Sequence, residues 1–92
     1  LRRQARVDDN HVEIVAALRR VGCMVVSLAP LGNGVPDLLC ARAGRMYLLE
    51  VKDGRKRPSA RRLTDDEERF RATWPGHWAL VENVNDALLA VA

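Results

Sequence analysis

Aromatic residues are scarce in this chain: one Phe, one Tyr and two Trp among 92 residues. An aromatic core is excluded, and the 48% apolar fraction, rich in Ala, Val and Leu, makes an aliphatic one expected. Cysteine is limited to Cys23 and Cys40, which form neither a metal-binding spacing nor a disulfide framework. Both lie in apolar runs, where a small buried hydrophobe is the expected role. The longest uncharged stretch, Val21 to Pro36, is broken by glycines, Asn33 and prolines, so no membrane span is expected. No apolar h-region follows the basic N-terminus, so no secretory signal is read and a cytoplasmic setting is expected. Lysine is rare too. Thirteen of the 15 basic residues are Arg, a planar fork suited to phosphate.

What is present fits one small domain spanning 1–92. Asp8 to Gly22 carries a helical stripe of Ile14, Val15, Leu18 and Val21, with Gly22 as its stop and Asn10 and Glu13 spaced as a capping box. Residues 23–28 read as a buried strand, broken by Pro30 and by Gly32-Asn33-Gly34. Asp37 to Arg42 and Met46 to Lys52 read as two strands joined at Ala43-Gly44, apolar enough to be central in a sheet. A basic loop over 53–62 precedes a second helix, which Thr64 and Glu67 open as a capping box and Pro75-Gly76 ends. A fourth strand at His77 to Val81 and a terminal helix at Val84 to Val91 complete the order α-β-β-β-α-β-α.

Charge interrupts the apolar strands at a few positions only. Asp37 begins one strand, and Glu50 and Lys52 end the next on a shared face, since side chains alternate with period two. With a two-residue turn at Ala43-Gly44, paired residue numbers sum to 87, and Asp37 faces Glu50 across the hairpin. A three-residue turn sets Asp37 opposite Val51 instead and separates the carboxylates. Like charges directly opposite are destabilising, so the first register calls for a cation, either the Lys52 ammonium or a bridging divalent metal. Oxygen ligands without His or Cys favour Mg2+ or Mn2+ over zinc. Plainer roles exist for the same residues: an Asx turn at Asp37, and a weak ion pair of Glu50 with Lys52 at a strand end. Trp74 and Trp78 read as core or interface anchors, and His11 and His77 as isolated histidines.

Gly34-Val35-Pro36-Asp37 followed by Glu50-Val51-Lys52-Asp53-Gly54, with a helix on either side, resembles the PD-(D/E)XK nuclease signature. The closest resemblance is to small stand-alone phage-type VRR-NUC domains, from Asn10 to about Val84. It implies a restriction-endonuclease-like α/β core with a mixed central sheet flanked by helices. It implies Asp37 and Glu50 as ligands of Mg2+ or Mn2+, with the Val51 backbone carbonyl completing the set. Lys52 is implied to orient or activate water and to stabilise charge on the phosphate, and Glu13 to add a carboxylate directly or through water. Where related sequences commonly carry Gln in the following helix this chain has Glu68, expected either to support the site or to face solvent. The implied activity is metal-dependent hydrolysis of DNA phosphodiesters in a bacterial or phage-infected cell.

Between Arg42 and Arg62 lie eight Lys or Arg residues against two acids, Glu50 and Asp53. Arg55, Lys56, Arg57, Arg61 and Arg62 issue directly from the proposed active strand and are the expected DNA contacts. No base-reading helix or zinc module is evident, so structure-selective cleavage of branched (Holliday junction) or duplex DNA is expected, by a homodimer that supplies two sites. A catalytically silent nucleic-acid-binding module, or an accessory subunit of a recombination or packaging complex, is the alternative.

Overall fold

The computed structural model describes residues 8–92. Three helices, α1 (His11–Arg20), α2 (Asp65–Thr73) and α3 (Val84–Ala90), flank one mixed sheet of β1 (Met24–Ser27), β2 (Leu38–Arg42), β3 (Arg45–Val51) and β4 (Trp78–Val81). The strands lie in sequence order, β1-β2-β3 antiparallel and β3-β4 parallel. The parallel step is the one that needs a long connection, and α2 lies within it. The domain is therefore α/β, and among the described residues no helix is long and apolar enough to cross a membrane.

One face of the sheet is closed. Ile14 and Leu18 of α1 and Ala87 of α3 pack with Val25, Leu38, Cys40, Leu49, Val51 and Val81. The core is aliphatic apart from Tyr47, and both cysteines are free and buried in it. Burial pushes the Cys40 thiol up to about 12, so it stays protonated and inert. Gly22, at φ +95°, ends α1: its N–H reaches the Arg19 carbonyl and that of Cys23 reaches Leu18, the paired closure that favours glycine here. Arg42 then donates to the carbonyls of Val21 and Val91, at the ends of α1 and α3, so this basic residue holds the core together.

The capping box expected of Asn10 and Glu13 does not form. The buried Asn10 amide donates instead to the carbonyls of Lys52 and Glu82, each at 3.1 Å. These carbonyls lie just past the ends of the parallel strands β3 and β4, and that of Glu82 also accepts the Gly54 N–H at 3.0 Å. The start of α1 is thereby fixed to the edge from which Lys52 projects.

The hairpin register follows from its turn. Ala43 and Gly44 have φ of 51° and 80°, both positive, as a two-residue turn matching the sheet twist requires. Leu38 pairs with Leu49, Leu39 with Leu48 and Arg42 with Arg45, so every pair sums to 87. Alanine is a poor occupant of a left-handed position. Ala43→Asn is expected to raise stability by about 1 kcal/mol, read as a higher midpoint in thermal unfolding; a lower midpoint contradicts this turn.

Candidate functional site

The other face of the sheet carries the candidate residues Glu50 and Lys52. Lys52 follows the last residue of β3 and, with Glu50, points away from the core formed by Leu49 and Val51. Asp37 immediately precedes β2, and its carboxylate accepts the Val51 N–H at 2.8 Å. The bond substitutes for a ladder contact. A continued register sets Pro36 opposite Val51, and proline has no N–H to donate. The Val51 carbonyl, which points to the same side of the strand as its N–H, thus receives nothing from that partner.

Glu50 is only 3% exposed, and its Oε1 is buried without a hydrogen-bond partner. Burial raises its pKa, and the carboxyls of Asp37 and Glu67 raise it further, while Lys52 opposes them. Without a bound cation the site therefore favours a protonated Glu50. Lys52 behaves oppositely. Burial works against its charge, but the bond from Nζ to Glu67 Oε1 at 2.8 Å outweighs that and holds it as an ammonium. Burial likewise opposes ionisation of Glu67, yet Lys52 and the Thr64 N–H keep its pKa below the ordinary carboxyl value.

Glu67 is the contribution of α2, and it was legible only as a helix cap. Its Oε1 accepts from the Thr64 N–H at 2.9 Å while its own N–H binds Thr64 Oγ1, closing the expected capping box. The same oxygen receives Lys52, so the cap that starts α2 also orients the lysine. Gly34 allows the approach: at φ +82°, a Cβ there would overlap the backbone carbonyl of Asp66. Glu68, the residue singled out in this helix, is exposed and bonds to Arg71 at 2.9 Å. One helical step of about 100° separates the two glutamates and turns Glu68 from the sheet.

Asp37, Glu50 and Lys52 are thus brought together, and Glu13 is not among them. Its side chain is 57% exposed and lies 3.8 Å from Arg55. The loop cations are also divided. Arg55 is held by the buried Asp53 through two side-chain bonds of 2.9 and 2.8 Å, which keep that carboxyl down at about 2. Lys56 pairs with Asp8, and Arg61 binds Glu82 and the Lys56 carbonyl. Arg57 and Arg62 are exposed and carry no ion pair among the described residues.

Among the described residues no group of three or more His, Cys, Asp or Glu side chains is arranged around one metal position. Fewer donors still suit a hard cation. Two adjoining carboxyls, one with a buried unpartnered oxygen, and a carbonyl facing proline fit Mg2+ or Mn2+, which keep waters in their remaining positions. Compared with known proteins, the chain matches no family model, no curated protein and no solved structure.

The raised Glu50 pKa has a measurable sign. Above about pH 4.3 the unfolded carboxyl loses its proton while the folded one retains it, so this group's stabilisation declines as pH rises. Glu50→Gln removes that titration. In chelator the variant is expected to be more stable than wild type at pH 8, by on the order of 1 kcal/mol, with a smaller gain at pH 5. Denaturant unfolding at both pH values checks this; a gain independent of pH contradicts it.

Proposed function

We propose that the protein is a Mg2+- or Mn2+-dependent endonuclease of the PD-(D/E)XK type on a restriction-endonuclease-like core, hydrolysing DNA phosphodiesters. The observation that carries the reading is the Asp37–Glu50 carboxyl pair, set on one sheet face beside the Lys52 ammonium. An enclosed pair of acids with a neighbouring cation costs stability and has no packing role, which favours a functional one.

Asp37, Glu50 and the Val51 carbonyl would hold the ion. A bound divalent ion supplies charge to the scissile phosphate and lowers the pKa of its water. The chain's own contribution begins with Lys52. Held protonated by Glu67, its ammonium acts as a hydrogen-bond donor and fixed positive charge toward the phosphate as negative charge builds there. Glu67 keeps the lysine from folding back onto Glu50 and ties its position to α2. Leu48, buried on the same face as Glu50, limits water and strengthens these electrostatic contacts. Arg57 and Arg62 meet the flanking phosphates, while Arg55 shapes the loop through Asp53.

Phosphate contacts of this sort confer affinity without base reading, in keeping with branched or duplex DNA selected by shape. One domain has one such site. A homodimer provides the second that cutting both strands requires.

The direct test is incubation with labelled junction, duplex and single-stranded DNA, with Mg2+, Mn2+ or chelator. Cleavage is expected with metal only. Asp37→Ala, Glu50→Ala and Lys52→Ala should each lower it by about 10²-fold or more, and Glu67→Ala by about tenfold. Metal-independent cutting, or variants as active as wild type, contradicts the proposal. Separately, Arg57→Ala and Arg62→Ala should each reduce the slope of log affinity against log salt by about 1, whereas Glu68→Ala leaves it unchanged. Equal slopes in all three variants would remove the two arginines from the DNA contact.

A further inference from the structure

The register also decides what lies beside the carboxyl pair. Across β1, β2 and β3, Met24 pairs with Ala41 and Ala41 with Met46, while Val26 pairs with Leu39 and Leu39 with Leu48. These side chains point away from the core, since Val25, Cys40 and Leu49 between them point into it. Asp37 and Glu50 continue the same face one row further on. Two apolar rows therefore adjoin the carboxyls, and neither row contains a charged residue. Arg42 and Arg45, at the end of the hairpin, alternate to the side of α1 and α3.

Among the described residues these rows are only partly covered. Met24, Val26 and Met46 are 73%, 43% and 61% exposed, whereas Leu48, next to the carboxyls, is buried. Trp74, expected as a core or interface anchor, is 41% exposed at the margin, where it lines a cavity of about 430 Å3 with Leu39, Met46 and Leu48. Each large side chain so placed exposes on the order of 100 Å2, and the patch amounts to roughly 500 Å2, near the largest that a monomeric protein ordinarily shows. The outer edge of β1 is less open. The Leu28 N–H donates to the Asp37 carbonyl, so the even-numbered residues of β1 bond to β2 and Val25 faces outward. Its carbonyl accepts from Arg19 at 3.2 Å, and a guanidinium there obstructs a strand added edge to edge.

We propose that this face is the contact surface between two copies of the chain, packed sheet to sheet. Copies related by a two-fold axis present the same residues to each other, so the surface must complement itself. Uncharged rows do so, whereas the basic loop over 53–62 would meet its own like charge. Two such patches bury roughly 1,000 Å2, the lower bound for a specific interface. DNA finds no cation in these rows to meet its phosphates. The proposal deepens the nuclease reading and rests on it for its consequence: one particle holds two carboxyl pairs, each one row from the contact.

Sedimentation equilibrium without DNA or metal tests the surface apart from any cleavage. Wild type is expected to be a dimer at micromolar concentrations. Met24→Lys and Met46→Lys should each raise the dissociation constant at least about 100-fold, by setting like charges into the contact. Their far-UV circular dichroism and thermal midpoints should stay near those of wild type, because both positions are exposed within one chain. They lie on separate strands, so a folding defect at one leaves the other to decide. Leu89→Lys, on α3 and 67% exposed, should dimerise as wild type does. A wild type that stays monomeric, or dimers that survive both patch variants, overturn the proposal, as does a loss confined to Leu89→Lys. With plasmid DNA and Mg2+, the two patch variants should nick single strands where wild type cuts both. Dimers that cut no DNA support the surface and contradict only the nuclease reading, whereas a monomeric wild type that cuts contradicts only the surface.

Discussion

Two carboxyl groups that repel each other are held together by a hairpin whose register leaves them no alternative. The Ala43-Gly44 turn fixes which residues of β2 and β3 meet, and Asp37 and Glu50 meet where the ladder ends. The Val51 N–H donates to the Asp37 carboxylate and anchors it, while Pro36, without an N–H, leaves the Val51 carbonyl without a donor from that strand. Glu50 is left with a buried, unpartnered oxygen, while Glu67 of α2 holds Lys52 beside it as an ammonium. A buried group left in this state is costly unless a ligand uses it.

The two faces of the sheet divide the work. The face against α1 and α3 is closed by aliphatic side chains and gives the domain its stability. Among the described residues the opposite face has only α2 beside it, a helix without a single buried residue. That helix is attached by the Glu67–Lys52 contact, by the approach of Asp66 to Gly34, and by Arg71 over Trp78. A cover held by polar and glycine-mediated contacts leaves room on the sheet surface, and the carboxyl pair occupies that room.

Much of this was legible from residue order alone. Period-two alternation placed Glu50 and Lys52 on one face, and a two-residue turn gave the register that the strands adopt. The helix positions were legible to the element but not to the side chain. Glu67 and Glu68 are adjacent acids, and only the direction in which α2 meets the sheet decides which one reaches Lys52. Asn10 signals a cap by composition, yet tertiary carbonyls from Lys52 and Glu82 compete for its amide and win. The basic loop reads as a row of free cations because its partners, Asp8, Asp53 and Glu82, are partly remote in sequence. Local pattern fixes periodicity; it does not fix the angle at which two elements meet.

The account depends on the carboxyl pair being a cation site. A crystal structure of the protein soaked with Mn2+ tests this most directly, through the anomalous signal of the ion. The signal should lie between the carboxyls of Asp37 and Glu50 and next to the Val51 carbonyl, with Lys52 still on Glu67. A signal elsewhere, or none at saturating Mn2+, would contradict it.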